Sequence, residues 1–309
     1  MAFSGSDAAF EGFRLVRRNP MALVAWTLLY AVVSLASLFA MSRAIGPITA
    51  WGERMEALES QSPSATPEQV MSAFQGFGEV MLSLAWLLPV SLIVTAMLMA
   101  AVARAVLNPR AGGFGYLHLG MDEVRVFVVT FVLGILAFVA WMVLVALVVI
   151  LAGIAGATGA DWMWLFMVLG GFAGVGVIIW LYVRLSLAVP ITVAENRFAF
   201  FDSFAVTRGR FWSLFGMAVI AFVMVLVISM LSWVVTLPLG MMAGAESWTF
   251  GSNSDPEIVA AALDVTNPWI IASAFAEAVV YALTVGVMYA PFAAAYRDLK
   301  GLGAETPTA

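Results

Sequence analysis

Residues Val126–Ala152 read VFVVTFVLGILAFVAWMVLVALVVILA, an apolar run without one charged side chain. A helix of about twenty apolar residues crosses the roughly 30 Å of bilayer hydrocarbon, and this run is longer than that. No strand-like alternation breaks it, so it predicts a helix, in which every backbone group is satisfied inside the segment. Similar runs recur along the chain. They predict six spans, at Met21–Ser42, Val80–Val102, Val126–Ala152, Trp162–Leu185, Leu214–Leu237 and Glu277–Tyr296. The fold class is therefore all-α: a polytopic transmembrane helical bundle, with residues 1–309 forming a single integral membrane domain.

Composition agrees. The chain is 63% hydrophobic and 11% charged, with a mean hydropathy of +1.01, whereas soluble domains are about half apolar and a quarter charged. The first run is too long for the 7–15-residue apolar core of a signal peptide. Cysteine is absent and His118 is the sole histidine, which excludes disulfides, thiol nucleophiles and thiolate metal sites. Arginine outnumbers lysine thirteen to one, a usage that suits a bacterium with a GC-rich genome.

Basic residues divide by loop. Arg14, Arg17, Arg18, Arg104, Arg110, Arg125, Arg184, Arg197, Arg208, Arg210, Arg297 and Lys300 fall on the side of the N-terminus, and only Arg43 and Arg54 fall on the other. The positive-inside bias then puts both termini in the cytoplasm, in a bacterial inner membrane. The acidic loops at about 44–76 and 243–267 are expected outside, exposed, and too short to be domains.

The cytoplasmic connectors carry aromatic residues at helical spacing. Phe10, Phe13 and Val16 precede the first span, and Phe198, Phe201, Phe204 and Ala205 precede the fifth, with Glu11, Arg14 and Arg18, or Arg197 and Asp202, directed elsewhere. Such segments predict short interfacial helices with an aromatic side toward lipid and a basic side toward anionic headgroups. "EGFRLVRRNPMALVAW" also echoes "DSFAVTRGRFWSLFGM", aligning Glu11 with Asp202, Phe13 with Phe204, Arg17 with Arg208 and Leu23 with Leu214. A repeat of helical hairpins and a chance match both account for that.

Several residues are candidates for a site. Arg184 ends the fourth span, and Pro190 is expected to break the helix there. Glu195 would fold back onto Arg184, as a structural clamp or as a headgroup site. Ser203 suits a helix cap or a ligand. Glu277 reads as an acid at the outer boundary or as one buried in the bundle. Gly170 and Gly174 have the small-xxx-small spacing of close helix packing, with a ligand channel as the other reading. Pro89 and Pro291 are expected to kink their spans. "AGGFG" at Ala111–Gly115 lacks the strand and helix of a phosphate loop. No HExxH, GxSxG or Walker lysine occurs.

The arginine-bearing helix end "RLSLAVP", the glutamate of "VAEN", the stretch "DSFAVTRGRFWSLFG" and the terminal "YRDLKG" resemble the glycerophosphoryl diester phosphodiesterase membrane-domain family. The likeness is sharpest over Arg184–Gly216 and Tyr296–Lys300. It implies a six-span bacterial membrane protein, with Arg184, Pro190, Glu195, Ser203, Arg208 and Tyr296 as signature positions. The phosphodiesterase domain that family sometimes carries has no counterpart here, so its activity does not transfer.

The expected function is that of a non-enzymatic inner-membrane protein organising or sensing lipid at the cytoplasmic leaflet, or assisting a membrane partner. Arg184, Glu195, Ser203 and Arg208 are the lipid- or ligand-binding candidates. The alternative is a carrier or flippase for a lipid or lipophilic solute, with Ser229, Ser232 and Glu277 lining its path. Anionic headgroups are the expected partners, and no cofactor, metal or nucleic acid is expected.

Overall fold

The computed structural model describes residues 4–60, 66–110, 113–158, 162–243 and 264–301. Eleven α-helices are described: α1 (Gly5–Ala9), α2 (Glu11–Arg18), α3 (Pro20–Ser60), α4 (Pro67–Leu84), α5 (Leu87–Leu107), α6 (Met121–Thr158), α7 (Met163–Leu185), α8 (Ala188–Glu195), α9 (Asp202–Val206), α10 (Phe211–Met242) and α11 (Pro268–Leu299). A single 3-10 turn, Phe114–Tyr116, lies between α5 and α6. There is no strand among the described residues. Six helices are long and apolar enough to cross a membrane, and the chain is a multi-pass membrane protein.

The chain divides into two compact units. The first comprises residues 1–18, 96–224 and 285–309, and the second comprises 19–95 and 225–284. Within the first, α6 packs on α7 and α8, while α9 packs on α7 and α8. Its centre holds Leu98, Val102, Val126, Val129, Leu187, Ile191, Leu214, Met217 and Tyr296, all essentially inaccessible. Gly174 receives Leu144 of α6: a Cβ there would lie 2.1 Å from the leucine Cδ1. Gly170 faces Leu151 more loosely, at 3.7 Å. The small-residue spacing therefore serves the α6–α7 contact.

In the second unit α3 and α4 form a helical hairpin. Trp51 and Phe77 rings lie 5.5 Å apart, and Arg54 reaches Glu79 at 3.6 Å. The segment 44–76, expected as a loop, is helical on both sides of residues 61–65, which lie outside the described residues. Residues 44–60 continue α3, whose 41 residues rise about 62 Å at 1.5 Å per residue. Pro67 at the first helical position and a Thr66–Gln69 capping box start α4, a pairing that satisfies two orphan amides.

The second predicted span, Val80–Val102, straddles a break. α4 stops at Leu84 and α5 begins at Leu87, with Pro89 its third residue. Proline removes the N–H that would bond Ala85 and its ring crowds that carbonyl, so the helix restarts. Pro89 thus opens a helix instead of kinking one, while α11 runs uninterrupted through Pro291. α11 starts nine residues before Glu277, because Asn267 accepts from the Trp269 amide at 3.0 Å and Pro268 follows it. Most of the loop 243–267 lies outside the described residues. At its end the Thr266 amide and hydroxyl hold the Asp264 carboxyl below its ordinary range.

Candidate functional site

The connector from α7 to α10 lies wholly in the first unit, and the sequence builds it by interruption. Pro190 is the third residue of α8 and forbids the bond to Ser186, leaving a break at Ser186–Leu187. Ser203, completely buried at the start of α9, closes that break. Its Oγ donates to the Arg184 carbonyl at 2.5 Å and accepts from the Leu187 amide at 3.2 Å. One hydroxyl so satisfies two groups that a broken helix would otherwise orphan. Thr207, also buried, donates to the Ser203 carbonyl at 2.8 Å.

Arg184 turns toward the same short helix. Its Nη1 donates to the Phe204 carbonyl at 3.2 Å and to Thr207 Oγ1 at 3.3 Å, and its guanidinium lies 5.6 Å from the Trp180 ring. The buried Nε has no partner among the described residues. The expected Arg184–Glu195 clamp does not form. α8 stays helical as far as Glu195, about 12 Å of rise, and so carries the carboxylate away from Arg184. Folding back is achieved by Ser203 instead.

Glu195 anchors a second network. Oε1 accepts from the Tyr296 hydroxyl at 2.9 Å and from Lys300 at 3.3 Å, and Oε2 accepts from Arg197 Nε at 2.8 Å. Arg197 also reaches Asp202 at 2.8 Å. α8 is thereby tied to the end of α11 through a tyrosine that is only 2% exposed. Asn196, in the left-handed region at φ 51°, ends α8, a helix stop that asparagine tolerates. The expected interfacial helix over Phe198–Ala205 is shorter than its spacing implied. Only Asp202–Val206 is helical, so Phe198 sits on the turn before it, exposed beside Phe200.

The segment before α3 is helical, and it leaves its aromatic side uncovered by the protein. α2 buries Glu11, Gly12 and Leu15, while Phe10 and Phe13 stay exposed. Gly12 is required there, since a Cβ would lie 2.4 Å from Val287 Cα. Glu11 accepts from Arg14 and Arg297, each at 3.4 Å. Arg14 also pairs with Asp7, and its guanidinium holds the Asp7 carboxyl below the usual carboxylate range.

A third cluster was not foreseen from sequence. Arg104, 8% exposed, ends α5, donates to the Tyr116 carbonyl at 2.8 Å and pairs with Glu123. Glu123 also accepts from the Gly120 amide at 2.9 Å, capping α6. Beside them a cavity of about 550 Å³ is lined by Asn108, His118, Asp122 and Asn196 among others. A glutamate three residues after Gly120 was the available signal. Among the described residues no group of three or more His, Asp or Glu is placed to hold a metal ion.

Of the predicted site residues, Arg184 and Ser203 meet, Glu195 and Tyr296 meet, and Arg208 joins neither pair. Arg208 is exposed beside Gly209, whose φ is +76°. Arg210, Arg17 and Arg18 are exposed as well. None of the four has a side-chain partner among the described residues. Among the described residues Ser229 bonds only within α10, to Val225 at 2.9 Å.

A family described as "Domain of unknown function (DUF7847)" matches residues 8–299, nearly the whole chain. No curated protein and no solved structure matches.

Proposed function

We propose that this chain, which belongs to the DUF7847 family, is a non-enzymatic protein of the bacterial inner membrane that organises or senses anionic lipid at the cytoplasmic leaflet. Both termini lie in the cytoplasm on this reading, in keeping with the twelve-to-two division of basic residues. One observation carries the proposal. The first unit separates its arginines into two kinds. Arg104, Arg184 and Arg297 are held by carboxylates, carbonyls or a hydroxyl. Arg17, Arg18, Arg208 and Arg210 are exposed and uncommitted, and exposed Phe10, Phe13, Phe201 and Trp212 belong to the same connectors. Guanidinium groups of this second kind remain free for phosphate oxygens, and each basic residue near an anionic surface contributes about 1 kcal/mol.

The likeness to the glycerophosphoryl diester phosphodiesterase membrane-domain family supports a lipid-facing role or a membrane partner. It carries over no reaction. A second reading, a carrier or flippase for a lipid or lipophilic solute, is favoured by the acid in the second unit, Glu277.

The test is lipid retention. The full chain is placed in phosphatidylcholine nanodiscs with added phosphatidylglycerol and examined by native mass spectrometry. Wild type keeps phosphatidylglycerol preferentially, and the variant with Arg17, Arg18, Arg208 and Arg210 all changed to Ala loses that preference at an unchanged melting temperature. Equal retention by both proteins would remove the proposal.

A further inference from the structure

In the second unit, polar residues form a stripe on each of two apolar helices. α11 carries Ser273, Glu277, Tyr281 and Thr284, and α3 carries Thr27, Tyr30, Ser34 and Ser37. Residues three and four apart share a helix face. The stripes meet where Tyr30 and Tyr281 stack, ring centroids 3.7 Å apart and planes 13° from parallel. Glu277 is exposed on the same stripe, one turn before the half-buried Tyr281.

Depth follows from helix length. From Trp269 to Arg297 the rise is about 42 Å, matching a bilayer with its headgroups. Trp269 suits an interfacial belt, and Glu277 is about 12 Å further along the helix, past the headgroups. Of the two depths that the sequence leaves open for this acid, the longer helix favours the one inside the boundary. A carboxylate at such depth is costly without a cation. Neither arginine of α3 supplies one: Arg43 lies over Phe39 and Arg54 pairs with Glu79. Ser37 and Ser273 are committed to their own helices, at 2.8 and 2.9 Å. The Glu277 carboxylate and the hydroxyls of Tyr30 and Tyr281 have no hydrogen-bond partner among the described residues.

We infer that Glu277, Tyr30 and Tyr281 form an intramembrane binding site for a lipophilic cation, a single positive charge on an apolar body. The carboxylate supplies the counter-charge and the tyrosine rings attract a soft, weakly hydrated cation. A hard metal ion is a poor fit, because it wants six or more oxygens and Ser37 and Ser273 are engaged. The cation reaches the site either as a free amphiphile or as the ammonium of an aminolipid. This inference goes beyond the lipid role of the connectors and does not depend on it.

Labelled tetraphenylphosphonium and the full chain in neutral phosphatidylcholine nanodiscs provide the test, with empty discs as background. Wild type binds saturably, and so does the variant with the four connector arginines changed to Ala, which separates this site from the proposed leaflet role. Glu277→Gln weakens binding about tenfold or more, and Tyr281→Leu weakens it about three- to tenfold, the scale of a desolvated cation–π contact. Tyr281→Phe binds as wild type does. Competition by added phosphatidylethanolamine identifies an aminolipid as the source, and its absence identifies a free amphiphile. Equal binding by wild type and Glu277→Gln, or an excess over empty discs that never saturates, overturns the inference. Should Glu277→Gln fail to fold, the wild type alone decides. Tetraphenylphosphonium then raises its melting temperature and neutral triphenylphosphine oxide does not, and equal shifts overturn the site.

Discussion

Two helix breaks in this protein share one device and differ in everything around it. At Ala85–Trp86 and again at Ser186–Leu187 the helix stops, and a proline occupies the third position of the helix that follows. The first break is bare. Ala85, Trp86 and Pro89 are exposed, and only a Leu88 amide bond to Ala85, at 3.3 Å, spans it. The second is buried: Leu187, Ala188 and Pro190 are inaccessible, and Ser203, Thr207 and Arg184 close around it. Proline sets where a helix is interrupted. Whether the interruption becomes a rigid joint depends on residues far away in sequence that take up the freed backbone groups.

The largest effect should come from removing the closing residue. Ser203→Ala leaves the Arg184 carbonyl and the Leu187 amide buried without a partner, at ~1–3 kcal/mol for each orphan, about 2–6 kcal/mol together. Trp86→Ala at the bare break should change stability by under about 1 kcal/mol, as exposed substitutions do. Both are read from thermal melts in detergent. Comparable losses would mean that the two breaks are equivalent after all.

How much of this was legible follows from the same contrast. Apolar length marked the six spans, because lipid leaves a helix no other way to satisfy its backbone. Prolines mark both breaks, although the sequence predicts a kink at Pro89, since a proline near a helix start and one in its middle look alike in sequence. Partnerships were not legible. Arg184 and Glu195 stand eleven residues apart and carry opposite charges, which suggested a pair. Their real partners, Thr207 and Tyr296, are set by the continuation of α8 and by the docking of α9 and the end of α11. The Arg104–Glu123 pair was missed because it joins the ends of two long helices through a turn. The depth of Glu277 stays open between boundary and bundle in the sequence, which does not show that α11 begins at Asn267–Pro268.

The buried joint has an outer tie whose loss should cost less. Tyr296→Phe removes one hydrogen bond to a carboxylate and keeps the ring packed, predicting a loss of about 1.5–3 kcal/mol. Glu195 keeps Arg197 and Lys300 as partners, which holds the cost toward the lower end. A chemical-denaturation series on both proteins measures it. A loss as large as that of Ser203→Ala would place the joint's stability in the Glu195 network instead of in the serine.

The prolines themselves should matter less to stability, by about 0.4–1 kcal/mol each, but differently to structure. Pro89→Ala restores the amide that Ala85 lacks, so α4 and α5 are expected to fuse and amides 86–88 to exchange more slowly with deuterium. Pro190→Ala restores the equivalent amide where Ser203 and Thr207 already hold the break open, so amides 187–189 should keep their rates. Fusion at both positions would show that proline alone maintains each break.

The smallest effect is expected where the first unit meets water, at the Asp7–Arg14 pair. Asp7 is exposed on a five-residue helix, and the Arg14 hydrogen bond lowers its carboxyl pKa. A carboxyl lowered on folding contributes stability that is complete above its ordinary pKa and is lost as pH falls through the folded value. The guanidinium stays charged throughout, its own pKa being raised by Asp7. Melting temperatures of wild type and Asp7→Asn should therefore differ slightly near pH 6, wild type being the higher, and converge as the solution is acidified below the ordinary carboxylate range near pH 4. Added salt should shrink the difference at pH 6, because an exposed pair is screened, whereas the Ser203→Ala loss, made of neutral buried hydrogen bonds, should not respond to salt.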